Sequence, residues 1–216
     1  MDRAIDNMIN DFFQKYPLRS FKKGQILIYK DDDPNGVYRL EKGRVRQYDI
    51  TLNGDEVVVN MHRPPTFFPM AWALNGSDNK FFYEAATDIE VRIAPKNDTV
   101  EFLKQNSDLI MYLLGRLYSG IDDFSKHKFY MMKGSAHSRT VMELIMCSKR
   151  YTDGSSEPVS TIQFTESELA TMSGLTRETI NREIKKLQKK GIIDVKHRNI
   201  IIKDKNALEV ELELAL

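Results

Sequence analysis

The chain has 216 residues and a formal net charge of +1, a length that allows one large domain or two small ones, each with a buried core. No apolar run is long enough to span a membrane, and the N-terminus lacks the apolar segment of a secretory signal, so we expect a cytoplasmic protein. The single cysteine, Cys147, excludes an intrachain disulfide and a metal site built from several thiolates.

The first part of the chain combines one short helix with a series of strands. Apolar residues on one face predict a helix over residues 1–17, and Pro17 ends it. Short runs rich in β-branched and aromatic residues then alternate with turn signals. Asn53-Gly54 is the strongest of these signals, since both residues tolerate the positive φ of a hairpin turn. The pattern predicts a small antiparallel β-roll. The predicted strands cover residues 25–29, 36–40, 44–50, 56–61, 81–85 and 90–93.

From Pro95 the hydrophobic period changes to that of a helix. Asn97 or Asp98 caps a short helix that runs to Leu103, and Ser107 caps a long helix after it. Apolar residues at three- and four-residue spacing along the long helix form a stripe typical of a coiled-coil seam, and from it we predict a homodimer. The alternative is a helix that packs on its own roll. The predicted seam residues are Leu114, Leu117, Ile121, Phe124 and Met131.

A hinge and a further helix come next. Lys133-Gly134-Ser135 interrupts the long helix, and residues 136–151 predict an amphipathic helix. A loop over residues 152–156 then leads to a short strand over residues 159–163. The side chains that the amphipathic helix turns toward a core are Val141, Leu144, Ile145 and Cys147.

Residues 164–191 follow the pattern of a helix-turn-helix. Thr165 and Glu168 form a capping box at the start of a short helix. Gly174 takes the left-handed conformation that closes this helix, and Thr176 caps a second, longer helix. Short helix, glycine turn and longer helix together indicate DNA binding, although helical hairpins also occur in structural bundles.

The exposed start of the second helix carries the side chains expected to read bases. The N-terminal residues of a recognition helix meet base edges in the major groove. Arginine can donate two hydrogen bonds to guanine O6 and N7, and a carboxylate can accept from cytosine N4, so Arg177, Glu178 and Arg182 predict a half-site that contains G·C pairs. The alternative is a solvated helix end with ion pairs between neighbouring turns. The candidate DNA-binding residues are Thr165, Thr176, Arg177, Glu178, Asn181, Arg182, Lys185, Lys189, His197 and Arg198.

A β-hairpin with a basic tip follows the helix-turn-helix. After Gly191, residues 192–195 and 200–202 predict two strands, and residues 196–199 connect them as the tip of a wing. From residue 171 to residue 205 the sequence has ten Lys and Arg against four Asp and Glu. Such a basic stretch in a nearly neutral chain indicates a polyanion site, with a solvated helix face as the alternative. The segment after it is an acidic tail.

The order of roll, long helix, hinge and winged helix-turn-helix resembles the CRP/FNR superfamily of dimeric bacterial regulators over nearly the whole chain. Residues 175–182, LTRETINR, resemble the recognition helix of its cyclic-AMP receptor branch. The resemblance implies that Arg177 and Arg182 read guanines and that Glu178 reads a cytosine. It also implies an inverted repeat of TGTGA-like half-sites, roughly 34 Å apart. The partners that it implies are double-stranded DNA, a second copy of the chain and RNA polymerase.

The same resemblance gives the expected architecture of an α+β chain. Residues 1–106 form an N-terminal antiparallel β-roll, a double-stranded β-helix similar to cyclic nucleotide-binding domains. Residues 107–133 form the dimerisation helix and hinge, and residues 134–216 form the winged helix-turn-helix domain. Within the roll, residues 21–25 and 37–46 also resemble segments of the family.

The chain departs from family members that bind cyclic nucleotides. Those members carry a Gly-Glu pair and an Arg-Ser or Arg-Thr pair, whose Glu holds the ribose and whose Arg holds the phosphate. Here Pro69-Met70 and Asn79-Lys80 stand at these positions, and Phe124 replaces a Thr that contacts the base. No arginine–carboxylate pair is left to hold a cyclic phosphate. We therefore predict that cyclic AMP does not bind.

The other sensing chemistries of the family also lack their parts. Iron–sulfur members need four cysteines, and His62, the only histidine in the roll, is more simply structural than a haem ligand. Metal-dependent oxygenases of similar folds use clustered histidines with a carboxylate, but only one of the four histidines lies in the roll and the sequence has no His-x-His, so we expect no metal, no cofactor, no catalytic residue and no enzyme activity. We expect gating by an effector other than cyclic AMP, of apolar or aromatic character; the alternative is a constitutive regulator whose roll is filled by its own side chains. The candidate pocket residues are Met70, Trp72, Asn79, Lys80, Tyr83 and Phe124.

Overall fold

The computed structural model describes residues 3–151, 160–162, 166–196 and 199–213. The chain divides into two compact units, Met1–Arg116 and Leu117–Leu216. The boundary between them falls inside one long helix. The helices are α1 (Arg3–Phe13), α2 (Met70–Asn75), α3 (Lys96–Lys104), α4 (Ser107–Lys133), α5 (Ala136–Tyr151), α6 (Glu166–Ser173), α7 (Arg177–Lys189) and α8 (Lys205–Glu213). The strands are β1 (Leu18–Phe21), β2 (Ile26–Ile28), β3 (Val37–Lys42), β4 (Val45–Ile50), β5 (Glu56–His62), β6 (Thr66–Phe68), β7 (Phe82–Ala85), β8 (Ile89–Ala94), β9 (Ser160–Ile162), β10 (Ile193–Lys196) and β11 (Asn199–Ile202).

The first unit contains the predicted β-roll, in two four-stranded antiparallel sheets. Their strand orders are β1-β8-β3-β6 and β2-β7-β4-β5. The hairpin of β4 and β5 turns at Asn53-Gly54, and Gly54 has a φ of 87°, which confirms the turn expected from the sequence. Apolar side chains of both sheets form the interior of the roll, among them Leu40, Val45 and Val91.

Helix α1 and the helices after the roll share a second core. Ile9 and Phe13 of α1 are buried together with Leu103 of α3 and Leu109 of α4. The amphipathic face predicted for the first helix therefore packs as expected.

Two helix caps differ from the prediction. Helix α3 begins after Pro95, with no side-chain cap, because Asp98 instead accepts a hydrogen bond from the Tyr16 hydroxyl at 2.9 Å. In α4 the backbone N–H of Ile110 donates to the carbonyl of Asn106, so Asn106 rather than Ser107 is the flanking residue.

The second unit is built around α5, whose bounds match the predicted helix. Its inward residues, Val141, Leu144, Ile145 and Cys147, are buried against α6, α7 and the β10–β11 hairpin. The sheet has the strand order β10-β11-β9. At the break before α5, a Cβ on Gly134 would lie 2.5 Å from the carbonyl oxygen of Tyr130, so this position requires glycine. The acidic segment at the end of the chain forms helix α8 over residues 205–213, which the sequence did not predict, and Leu208 of this helix is buried in the core.

Candidate nucleic-acid interface

Helices α6 and α7 form the predicted helix-turn-helix around one glycine. Gly174 has a φ of 61°, the left-handed conformation that ends a helix. A Cβ at this position would also lie 2.6 Å from the guanidinium of Arg139, which donates to the carbonyl of Ser173. The turn therefore requires glycine for two reasons, and Arg139 of α5 fastens it to the rest of the unit.

Helix α7 has one buried and one exposed face. Ile180, Ile184 and Leu187 are buried in the core of the unit. The Thr176 hydroxyl accepts from the backbone N–H of Thr179 at 3.2 Å and caps the helix as predicted. The buried stripe fixes the rotation of the helix, so the residues on its opposite side face solvent, whereas Glu183 is buried beside the stripe.

The first turns of α7 present two guanidinium groups and a carboxylate to solvent. The side chains of Arg177 and Arg182 are 69% and 65% exposed. The Glu178 carboxylate accepts hydrogen bonds from its own backbone N–H and from the Thr176 side chain, and with the charge of Arg177 these hold its pKa below the ordinary value. Glu178 is therefore ionised at neutral pH and can act only as an acceptor.

The lysines farther along α7 fall into two pairs. Lys186 donates to Glu183, at 2.8 Å from its Oε1, and Lys190 donates to Glu211 of α8, at 2.6 Å from its Oε1. Lys185 and Lys189 are exposed and form no ion pair among the described residues. The charges of the second pair are therefore open to solvent.

Asn181 differs from the other described candidates in that its side chain is half-buried. Its Nδ2 donates to Oε1 of Glu166, the first residue of α6, at 2.8 Å. The other oxygen of the same carboxylate lies 3.6 Å from Nε of Arg177. Sequence reasoning missed Glu166, because the contact joins two helices across a turn. Three of the candidates, Thr165, His197 and Arg198, lie outside the described residues.

A hydrogen-bonded network supports α7 from behind. His137 of α5 contacts Glu183 of α7 through Nδ1 and Glu211 of α8 through Nε2, each at 3.0 Å. Burial raises the pKa of Glu183, but hydrogen bonds from Lys186 and His137 outweigh it and leave the pKa below its ordinary value. The buried side of α7 is thus tied through polar contacts to α5, and through His137 to α8.

The candidate effector residues of the first unit lie in different cores and loops. Met70 and Trp72 pack with the core of α1, α3 and α4, whereas Tyr83 lies in the core of the roll. The Trp72 indole N–H donates to Asp33 at 2.6 Å. Phe124 lies on α4 in the second unit, where it is exposed.

Asn79 and Lys80 are occupied by local contacts in the loop before β7. The buried Asn79 amide donates to the carbonyl of Tyr29 at 2.7 Å. Lys80 is exposed and lies 3.3 Å from a carboxylate oxygen of Asp31 and 3.2 Å from one of Asp78.

Stacked rings occupy the interior of the roll. Phe68 stacks on Tyr38 with the ring centroids 5.6 Å apart and on Tyr83 at 5.1 Å. His62 adds a fourth ring, 4.7 Å from Phe68, and its Nε2 lies 3.1 Å from Oε1 of Gln47. Burial lowers the pKa of His62 to about 4 and raises that of Tyr83 to about 12. Both rings are therefore neutral at pH 7; Tyr83 is buried in the core, and His62 is half-buried and stacks against it.

Helix α4 carries an apolar stripe that faces solvent. Four of the five predicted seam residues are between 40% and 65% exposed, and the fifth, Met131, is half-buried. Met111, Tyr118 and Met132 extend the same exposed surface. A patch of this kind on a folded chain marks an interaction site.

The described part of the chain contains neither a membrane-spanning helix nor a cluster of metal ligands. None of its helices is long and apolar enough to cross a membrane. Its His, Cys, Asp and Glu side chains form no group of three or more that would hold a metal ion.

Both units match known protein families. The cyclic nucleotide-binding domain matches residues 18–106, and the Crp-like helix-turn-helix domain matches residues 138–211. The anaerobic regulatory protein of Haemophilus influenzae is 26% identical over 208 residues, which cover 96% of this chain and 79% of that protein. The transcriptional regulator SdrP of Thermus thermophilus is 27% identical over 192 residues, which cover 88% of this chain and 91% of that protein.

A solved structure shares the fold. It is a transcriptional regulator of the CRP/FNR family from Thermus thermophilus, 26% identical to this chain. The two match with a TM-score of 0.65 over 93% of this chain and 100% of the other.

Proposed function

The chain belongs to the CRP/FNR superfamily of transcription regulators, and from that premise we propose that it binds an inverted repeat of TGTGA-like half-sites as a homodimer. The observation that carries the proposal is the joint exposure of Arg177, Glu178 and Arg182 on the first turns of α7. Two arginines can bond guanine O6 and N7, and the ionised carboxylate can accept from cytosine N4. Lys185 and Lys189 then contact phosphates on the same face.

The proposed dimer forms through the apolar stripe of α4. Its residues recur at the three- and four-residue spacing of a coiled-coil seam, and their exposure leaves them free to meet a second copy. A two-fold axis along this seam gives two recognition helices, which suits a palindromic site. RNA polymerase is the further partner implied, and the cytoplasm is the compartment.

We also propose that cyclic AMP is not an effector. The positions of the phosphate-holding pairs carry Pro69-Met70 and Asn79-Lys80, and Asn79 and Lys80 are engaged within their own loop. The ring stack of Phe68 and Tyr83 occupies the interior of the roll. These contacts favour the alternative, a regulator whose filled roll needs no ligand for DNA binding, over gating by an apolar effector. Under gating, a ligand would bias the hinge at Gly134 by its differential affinity for two states.

The test of DNA reading is selection of bound duplexes from a randomised pool by the purified full-length chain. We expect an inverted repeat with guanines in each half-site. Recovery of no preferred sequence would overturn the proposal.

The test of ligand dependence compares two preparations on the selected duplex. One is purified natively, and the other is unfolded, freed of small molecules and refolded. Equal affinities support the filled roll, whereas a weaker second preparation supports gating. Titration calorimetry with cyclic AMP should show no heat of binding.

A further inference from the structure

The carboxylate of Glu166 is the feature of the DNA-facing surface that the function above leaves unexplained. Glu166 is the first residue of α6 and its side chain is 28% exposed. Its two oxygens contact two residues of the recognition helix, Asn181 at 2.8 Å and Arg177 at 3.6 Å. A negative charge at this position weakens binding to DNA by repelling the phosphates, so we expect a contribution of Glu166 that offsets this loss.

We propose that Glu166 is a positioning residue that sets base specificity by holding Arg177 and Asn181 for DNA reading. The inference rests on the proposed function, since it assigns a role within the same interface. Glu166 lies beside Nε of Arg177, so the terminal Nη1 and Nη2 groups stay available. These two groups form the fork that guanine O6 and N7 accept from.

Fixing the guanidinium before binding has a physical benefit. An exposed arginine side chain has many rotamers, and holding it in one of them on DNA costs conformational free energy. The Glu166 carboxylate removes part of this cost for one orientation of Arg177. An arginine without this support can turn toward phosphates on any sequence, which strengthens non-specific binding.

Asn181 is restricted by the same carboxylate. A free asparagine can read adenine with its amide N–H and its carbonyl oxygen together. Here one N–H of Nδ2 is bonded to Glu166, which leaves the second N–H and Oδ1 for a base and restricts the orientation of the amide. The contact therefore narrows the base preference of Asn181 as well as that of Arg177.

The charge of Glu166 adds selectivity against wrong sequences. The carboxylate repels the phosphates of any duplex. Only a duplex with the matching sequence offers the guanine that the supported Arg177 can bond, and these contacts offset the repulsion. A repulsive interaction that acts on every duplex, but is offset only for the matching sequence, increases specificity.

The experiment measures base discrimination rather than affinity alone. The probes are the best duplex selected by the wild-type chain and the same duplex with each half-site guanine replaced in turn by adenine. We expect Glu166→Gln to lower discrimination at the base pair read by Arg177 by roughly threefold to tenfold, and to strengthen binding to unrelated duplexes. Glu166→Ala should lower it further, because the acceptor for Asn181 is also lost.

Two controls separate positioning from general effects. Glu209→Gln makes the same charge change at an exposed residue of α8 and should leave discrimination at every base pair unchanged. In an Arg177→Ala background, Glu166→Gln should no longer alter discrimination at that base pair. Thermal unfolding of each variant checks that the fold is retained.

The outcomes distinguish this inference from the proposed function. If the wild-type chain selects no sequence, the proposed function fails and this inference fails with it. If the wild-type chain reads guanines and Glu166→Gln reads them equally well, the inference alone is wrong. A loss of discrimination that persists without Arg177 would also overturn it.

Discussion

Arg182 and Lys189 lie about two turns apart on the exposed side of α7, and we expect them to contribute to DNA binding in different ways. Arg182→Ala should lose about 1–3 kcal/mol and relax discrimination at one base pair, because it removes a bidentate contact to guanine. Lys189→Ala should weaken binding to all sequences alike and lower the salt slope by about one ion, because it removes a phosphate contact. Affinities for matched and mismatched duplexes at several salt concentrations test both. Identical behaviour of the two variants would contradict the assigned roles.

His62 gives the roll a dependence on pH that can be measured by itself. Burial lowers its pKa from 6.5 to about 4, so the folded chain keeps the ring neutral while the unfolded chain binds a proton below pH 6.5. The free energy of unfolding that the neutral His62 contributes is therefore present above pH 6.5, and it is lost as the pH falls toward 4. At pH 5 the loss should be about 2 kcal/mol relative to pH 7.

The variant that tests this loss is His62→Phe, which keeps a ring in the stack and removes the titration. The single tryptophan, Trp72, lies in the first unit, so its fluorescence during denaturant unfolding follows this unit. We expect a flat stability between pH 7 and pH 5 for the variant and a falling one for the wild-type chain. A wild-type stability that does not change over this interval would contradict the burial of a neutral His62.

The position of α7 as an element depends on a polar network as well as on its apolar stripe. Glu183 is buried on α7 and receives hydrogen bonds from His137 of α5 and from Lys186. Glu183→Ala leaves Nδ1 of His137 without this partner, and the loss of a partly buried hydrogen bond to a charged group costs about 1–3 kcal/mol. Thermal unfolding of the second unit should therefore occur at a lower temperature. Glu209→Ala, an exposed substitution on α8, serves as the control and should change little.

The same network predicts a response to acid. Hydrogen bonds from Lys190 and His137 also hold the pKa of Glu211 below its ordinary value of 4.5. The stability that Glu183 and Glu211 contribute is present above pH 4.5 and is lost as the pH falls through their lower folded values. Acid unfolding monitored by circular dichroism should begin at higher pH in Glu183→Ala than in the wild-type chain; coincident curves would contradict the assigned coupling.

Capping and turn residues close together in the sequence predicted most of the helices and turns that form the candidate nucleic-acid interface. The capped start of α7 at Thr176 and the left-handed Gly174 follow from residue type and spacing within a few positions, because both depend on backbone geometry close by in the chain. The turn at Asn53-Gly54 is of the same kind. These predictions needed no knowledge of distant contacts.

The elements that were missed depend on contacts between distant parts of the chain. Strand β6 has only three residues, too few to show a period of two, and it forms by pairing with β3. Helix α8 has an acidic sequence that reads as a tail, but Leu208 packs into the core formed with α5. The bond between Glu166 and Asn181 joins residues 15 positions apart, and its existence depends on the angle between two helices. Sequence patterns carry no information on such angles.

In the proposed dimer, two-fold symmetry connects the apolar stripe of α4 to affinity for DNA. When one recognition helix is bound, the seam holds the second helix close to the other half-site, so the second contact forms at a high effective concentration. A chain that cannot dimerise loses this gain and binds an inverted repeat no better than a half-site. Dimerisation and DNA affinity should therefore fail together in a variant of the seam, although the substituted residue touches no DNA.

Ile121→Asp tests this coupling, because it places a charge in the middle of the apolar stripe, at a residue that is 47% exposed in one chain. Light scattering should give a mass of 25.0 kDa for the variant and twice that for the wild-type chain. Affinity for the inverted repeat should fall by about 100-fold or more, while affinity for a single half-site stays unchanged. Ser119→Asp is the matched control, since a residue two positions away lies on nearly the opposite side of a helix. If Ile121→Asp remains a dimer, α4 is not the seam. If it becomes a monomer and keeps its affinity for the inverted repeat, the two half-sites are not bound together. The second recognition helix adds affinity only when both helices contact the same duplex at once.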